Sequence, residues 1–217
     1  MKMYLSSFRL GDHPERLVAL LTDPTGPAAI IPNACDGYPP EGRAEGVQRE
    51  IDALRGLGLE AGVIDLRDYF GQREQLAAEV RRFRMVWVRG GNTFVLRYAM
   101  AASGADALLT DLIRQDEIVY AGYSAGACVL APSLRGLEAE GLDDPDLVRS
   151  VYGAPAPIWD GLGLLDYTIL PHFESPGHPE TEAVGRAVER FRAEAMPHRT
   201  LRDGQAIVID GARTLVL

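Results

Sequence analysis

The sequence predicts an α/β fold: a doubly wound, mostly parallel sheet flanked by helices, with a C-terminal antiparallel hairpin. Short apolar runs alternate with longer amphipathic stretches at spacings that suit crossover units and a parallel sheet. The tail TLRDGQAIVIDGARTLVL divides into three strand-like pieces at Asp203-Gly204 and Asp210-Gly211, both good turn pairs. A length of 217 residues with 47% hydrophobic residues suits one domain over 1–217 with a sizeable core.

The elements follow in order. AAIIP at 28–32 is strand-like. Residues 45–58 carry Val47, Ile51, Leu54 and Leu57 at helical spacing and close on Gly58. AGVIDL at 61–66 is the next strand, and 72–83 is a helix with Leu76, Val80 and Phe83 on one face. MVWVRGG at 85–91 is a strand ending in glycines. Residues 94–115 read as two helices broken near Ser103-Gly104. EIVYAGYS at 117–124 is a further strand. Residues 134–161, rich in Gly, Asp and Pro, read as an excursion of loops and short pieces around a site. DYTILPHF at 166–173 returns to strand, and 180–195 is a helix with Val184, Ala187, Val188 and Phe191 inward.

Composition narrows the function. A net charge of −9 argues against nonspecific binding to nucleic acid or an anionic membrane surface. Two cysteines, Cys35 and Cys128, make neither a disulfide framework nor a CxxC metal pair, which fits a reducing cytoplasm. The N-terminal stretch has no long apolar segment of a secretory signal, and no run approaches the roughly 18 apolar residues of a membrane helix. A cytoplasmic location is therefore expected.

The segment YAGYSAGACVLAPS at 120–133 sets Ser124 between Gly122 and Gly126. A nucleophilic serine on a sharp strand-to-helix turn needs small residues two before and two after it. The following helix then points its N-terminus at the reaction centre, and the N–H of Ala125 becomes an oxyanion donor. The plain alternative is a tight Gly-Ser-Gly bend without chemistry, since GxSxG patterns also arise by chance. RGGNTF offers Gly90 and Gly91, whose backbones can approach a substrate closely, while Asn92 or Thr93 can cap the helix that follows.

Serine needs a base. Of the four histidines, His172 in ILPHF is best placed, and His178 in SPGHPE is the alternative. His13 and His198 lie in polar segments. A carboxylate must orient the base. The acidic residues after Ser124 include Glu138, Glu140, Asp143, Asp144 and Asp146, and their pattern selects none of them. Cys128, one turn into the elbow helix, reads as a core residue.

The set WVRGGNTFVL, AGYSAGACVLAPS and ILPHFESPGHPETE, in that order, closely resembles the peptidase E family. The resemblance extends through AAIIPNA, LRGLGLEAGVIDL and DGQAIVIDG and so covers nearly the whole chain. It implies a fold similar to class I glutamine amidotransferases, with serine in place of their cysteine. It implies Ser124 as nucleophile, His172 as base, and Ala125 with Gly91 (alternatively Gly90) as oxyanion donors. It implies hydrolysis of small peptides, no metal and no organic cofactor. The expected partner is a small peptide substrate, with no nucleic acid and no membrane, and the chain acts as a monomer or a homodimer.

Two departures from the family pattern stand out. Where dipeptidase E carries the aspartate of its triad, SLRGLEAEG has Ala139 between Glu138 and Glu140. The expectation is a Ser-His-Glu triad through Glu138, with Glu140 as alternative. Where dipeptidase E carries an arginine for the substrate aspartate, this chain has Glu182. Arg186, Arg89 and Arg135 are the candidate substitutes, and Asn92, His178 and Arg135 complete the expected substrate contacts. Other enzymes on the same elbow, an amidohydrolase or acyl transferase, and a non-catalytic small-molecule-binding protein are the competing readings.

Overall fold

A computed structural model describes residues 1–23 and 26–217 of the protein. Its centre is a set of short, largely apolar strands, buried but for Lys2 at the start of the first: β1 (Lys2–Ser6), β2 (Ala28–Ile31), β4 (Met85–Val88) and β5 (Val119–Tyr123). Strands covered on both faces read as continuous apolar runs, which is how AAII and MVWV appear in the sequence. With β3 (Ala61–Val63), β8 (Ala206–Asp210) and β9 (Arg213–Val216) they form a seven-stranded sheet in the order β3-β2-β4-β5-β1-β8-β9. The first five in that order run parallel; β8 runs antiparallel to β1, and β9 antiparallel to β8.

Alternation along each strand splits the core. Met3, Leu5, Ala29, Ile31, Val86 and Val88 face one layer. That layer is built by α3 (Arg73–Val80), α4 (Thr93–Ser103), α5 (Ala105–Arg114) and α6 (Ala125–Cys128). Tyr4, Ala28, Ile30, Met85 and Trp87 face the other, with Leu17 of α1 (Pro14–Val18) and Leu54 of α2 (Pro40–Gly56). A satellite core joins Phe94 and Val95 of α4 to Leu134, Leu137 and Val148 of the excursion. Val184, Val188 and Phe191 of α8 (Thr181–Ala193) close it. The excursion, which includes α7 (Leu147–Tyr152), is thus packed onto the domain.

Three expectations change. The strand at 61–66 stops at Val63, because Asp65 accepts from the Arg67 amide and starts a 3-10 turn over Leu66–Tyr69. The strand at 166–173 shrinks to β6 (Thr168–Leu170) and leaves the main sheet, pairing in parallel with β7 (His198–Thr200). β1, unforeseen in MKMYLSSF, is a central strand between β5 and β8. No helix among the described residues is long and apolar enough to cross a membrane.

Candidate active site

Ser124 sits between β5 and α6 with φ 48° and ψ −118°. A non-glycine residue there carries backbone strain of about 1–3 kcal/mol and persists only where its surroundings fix it. The fixing is steric. A Cβ on Gly126 would lie 2.2 Å from the Val88 carbonyl oxygen, and one on Gly122 would lie 2.9 Å from the same atom. Only glycine on both sides lets the elbow press against β4. The Ser124 carbonyl accepts from the amides of Ala127 and Cys128, at 2.8 and 2.9 Å, which sets Ala125 as the first residue of α6. Ser124 is half-buried, and its side chain opens into a cavity of about 140 Å³ that it shares with Gly90, Gly91, His172, His178 and Glu180.

His172 follows β6 with φ 62°, another strained backbone, and its side chain is 2% exposed. Four short-range contacts hold it. Its amide donates to Ser7 Oγ at 2.8 Å and its carbonyl accepts from Thr181 Oγ1 at 2.9 Å. Its Nδ1 lies 2.7 Å from Asp203 Oδ1, and its ring stacks on His178 at 3.6 Å. Ser7 Oγ also donates to Asp203 Oδ1 at 2.8 Å, and the Asp203 amide donates to Ser175 Oγ at 2.8 Å. The carboxylate accepts the Nδ1 proton, so the ring's lone pair is on Nε2. Burial holds the His172 pKa below its ordinary value; Asp203 opposes this, and His178 pushes it further down. The imidazole is therefore neutral near pH 7, the state a base requires.

A smaller recess adjoins the cavity and shares Ser124 and Glu180 with it. Its walls include Leu137, Leu142, Leu170 and Val184, together with Thr93 and Asp143. Burial pushes the Asp143 carboxyl up to about 6, against the hydrogen bonds it accepts from the Thr93 side chain and from the Thr93 amide, the latter at 2.9 Å. Burial, with Asp143 and Asp203 nearby, pushes Glu180 up to about 7.

The sequence matches Peptidase family S51 over residues 9–217. The chain belongs to that family. By family this S51 chain is a serine-type peptidase. It is 31% identical to an uncharacterized peptidase of Listeria innocua over 57% of its own length and 54% of that protein, so this match spans about half of the relative. It is 29% identical to the peptidase E of Streptomyces coelicolor over 75% of this chain and 63% of the relative. A solved protein of Listeria monocytogenes EGD-e, provisionally assigned as a peptidase E, superposes with a TM-score of 0.80 at 22% identity, covering 100% of this chain and 97% of that one.

The other residues singled out in this S51 sequence fall as follows. Glu138, the expected third triad member, accepts from the Gly136 amide and pairs with Arg190 at 3.1 Å. Glu140 is exposed, and its carbonyl accepts from Arg186 at 3.2 Å. The carboxylate on His172 Nδ1 is Asp203's, and Glu138 is paired with Arg190 instead. The reason is topological: β7 carries the chain alongside β6, and the turn after it delivers Asp203 to the end of that strand. Asn92 caps α4, accepting from the Val95 amide at 2.9 Å, and its Nδ2 donates to the Asp144 carbonyl. It is thus a capping residue and does not line the cavity. Arg135 is exposed and lies over the Trp159 ring at 4.9 Å, outside the cavity. His178 does line it.

Gly90 lies against the serine: a Cβ there would approach Ser124 Cβ to 2.9 Å. Gly91 has φ 148°, and a Cβ on it would meet the Ala34 carbonyl oxygen at 2.5 Å. Arg89 lines the same cavity but is tied down from behind. Its guanidinium contacts Cys35 Sγ, and its Nε is 3.5 Å from Glu50 Oε1. Glu50 in turn accepts from Trp87 Nε1 and Tyr123 OH, each at 2.7 Å. Gly46 makes room for this: a Cβ there would come within 2.5 Å of an Arg89 nitrogen. Sequence reading missed Ser7, Phe8, Glu180 and Asp203. A serine pair directly after an apolar run, LSSF, was the available signal for the first two once β1 is recognised as a strand.

Proposed function

We propose that this protein hydrolyses very short peptides through an acyl-enzyme intermediate, with Ser124 as nucleophile, His172 as base and Asp203 as the carboxylate that orients the base. The observation that carries the reading is the 2.7 Å contact between His172 Nδ1 and Asp203 Oδ1, in a cavity that also holds the strained Ser124. Asp203 fixes the tautomer in which Nε2 takes the Ser124 proton, and it stabilises the imidazolium that forms. Ser124 Oγ bonds to the scissile carbonyl carbon. The oxyanion is held by the Ala125 amide at the start of α6 and by Gly91, with Gly90 as the alternative donor. The imidazolium then returns its proton to the leaving amine, and water, deprotonated by the same ring, releases the acyl group.

The cavity's volume of about 140 Å³ suits a short peptide better than a folded protein or a long chain. The reaction needs no metal or organic cofactor, and the working place is the cytoplasm, as monomer or homodimer. The test is a panel of free dipeptides with acidic, neutral and basic first residues, followed by mass spectrometry for wild type and Ser124→Ala. Turnover by wild type and none by the variant is the expected result. Equal turnover by both, or none by either, removes the reading.

A further inference from the structure

We propose that Cys35 is a positioning residue for the oxyanion hole: its thiol donates to the Gly90 carbonyl and thereby turns the Gly91 amide toward Ser124. The inference deepens the peptidase reading and rests on it for the role of Gly91.

Gly90 and Gly91 line the cavity beside Ser124. Cys35 does not. It is 1% exposed and lies behind the glycines, at the end of a 3-10 turn over Asn33–Cys35. Its Sγ is 3.0 Å from the Gly90 carbonyl oxygen. Donor chemistry fixes the direction of that bond. The Arg89 guanidinium, which can only donate, also contacts the sulfur, so the sulfur accepts from arginine and its one proton goes to Gly90. Burial pushes the thiol up to about 11, against the opposing pull of Arg89, and so the donor is retained at neutral pH.

Peptide planarity couples this contact to the reaction. The Gly90 carbonyl and the Gly91 N–H share one trans peptide plane and point in opposite directions. With the carbonyl held toward Cys35 at the back, the N–H is sent to the front, where Gly91 meets the cavity. Among the described residues that N–H has no acceptor, which leaves it free for a substrate oxygen. Two consecutive glycines resist rotation of the plane between them poorly. A turned plane would present its carbonyl oxygen to the cavity, and an oxyanion would then meet an acceptor where it needs a donor.

The support behind the thiol is stiff. The Asn92 amide donates to the Ala34 carbonyl at 2.8 Å, which ties the glycine loop to the same turn. The buried Asn33 side chain fixes that turn: it accepts from the Leu66 amide at 3.0 Å and donates to Asp36 at 2.7 Å and Asp65 at 2.9 Å. Arg89 leans in turn on Glu50, 3.5 Å away.

The test compares wild type, Cys35→Ala and Cys35→Ser on the best dipeptide of the panel, each checked by thermal melt. Ground-state affinity is read separately, by calorimetry of the same dipeptide on Ser124→Ala with and without Cys35→Ala. Cys35→Ala is expected to lower kcat about tenfold or more, with KM and the calorimetric Kd within about twofold, because the lost donor serves the transition state. Cys35→Ser, which keeps a donor, is expected to recover most of the loss. Cys35→Val beside Cys35→Thr repeats the comparison at larger volume should the smaller residues leave the protein unfolded. The proposal is overturned if wild type hydrolyses the dipeptide and the donor-free variant keeps kcat within about twofold, if the hydroxyl variant recovers nothing, or if the loss lies in KM and Kd alone. A wild type that hydrolyses no dipeptide, or no faster than Ser124→Ala, removes the peptidase reading itself and this role with it.

Discussion

The imidazole rings of His172 and His178 stack face to face, 3.6 Å apart and 4° from parallel, with the edge of Phe8 against both. His178 does two things to its neighbour. It covers the ring from water, and its positive charge, when present, disfavours a second charge on His172. Both effects lower the His172 pKa, while Asp203 raises it. His178→Ala therefore moves the acid limb of the kcat/KM profile to higher pH. His178→Phe keeps the cover and removes only the charge, so it moves the limb in the same direction by less. A profile unchanged in both variants contradicts the coupling.

Asp203 and Glu138 make opposite predictions. Asp203 holds the Nδ1 proton of His172, and Asp203→Asn presents a donor amide or the wrong tautomer in its place. We expect kcat to fall on the order of 10⁴-fold. Glu138 pairs with a half-exposed arginine away from the ring, an interaction worth about 1 kcal/mol or less. Glu138→Ala should leave kcat/KM within about threefold of wild type. Steady-state kinetics on one dipeptide decides both, and the reverse ranking restores the glutamate to the triad.

The parts of this protein that were legible in its sequence were those written in local pattern. Fully buried parallel strands announce themselves as apolar runs, and the elbow as glycines flanking Ser124, because the steric demand is local. The helix break at Gly104 was legible for the same reason, and the structure shows it in the left-handed region at φ 78°. Asp203 was not. It reads as half of an Asp-Gly turn pair, and it does start a turn; only the unforeseen pairing of β6 with β7 brings that turn to His172. Glu50 was hidden in the same way, as a charged residue on the stripe of Val47, Ile51 and Leu54. The fold turns it into the buried acceptor for Trp87 and Tyr123.

Two glycine substitutions test how far sterics fix the elbow. Gly126→Ala forces a Cβ to 2.2 Å from the Val88 carbonyl oxygen, and backbone on both sides leaves nothing flexible to yield. The expected loss is about 3 kcal/mol or more, with loss of activity where the protein still folds. Gly185 lies within α8, and a Cβ added there would meet nothing within 4 Å beyond its own helix. Gly185→Ala should stabilise by about 0.5–1 kcal/mol through helix propensity and leave kinetics unchanged. Urea denaturation measures both; equal effects at the two positions contradict the steric account.

Glu180 gives a pH signature in the unliganded protein. Burial and the carboxyls of Asp143 and Asp203 raise its folded pKa to about 7, well above an ordinary glutamate near 4.3. An acid whose pKa is raised on folding binds its proton more tightly in the folded state. Its penalty is absent below the unfolded value, grows between about pH 4.3 and 7, and is complete above that. Glutamine in its place carries no charge at any pH. The melting temperature of Glu180→Gln should therefore match wild type near pH 4.5 and exceed it increasingly up to pH 8. His172, His178 and Asp143 lie close enough to Glu180 to titrate with it, so the difference between the two proteins reports the carboxylate together with its effect on these neighbours. An advantage that is flat with pH, or largest in acid, means that the Glu180 carboxylate is already compensated in the folded protein.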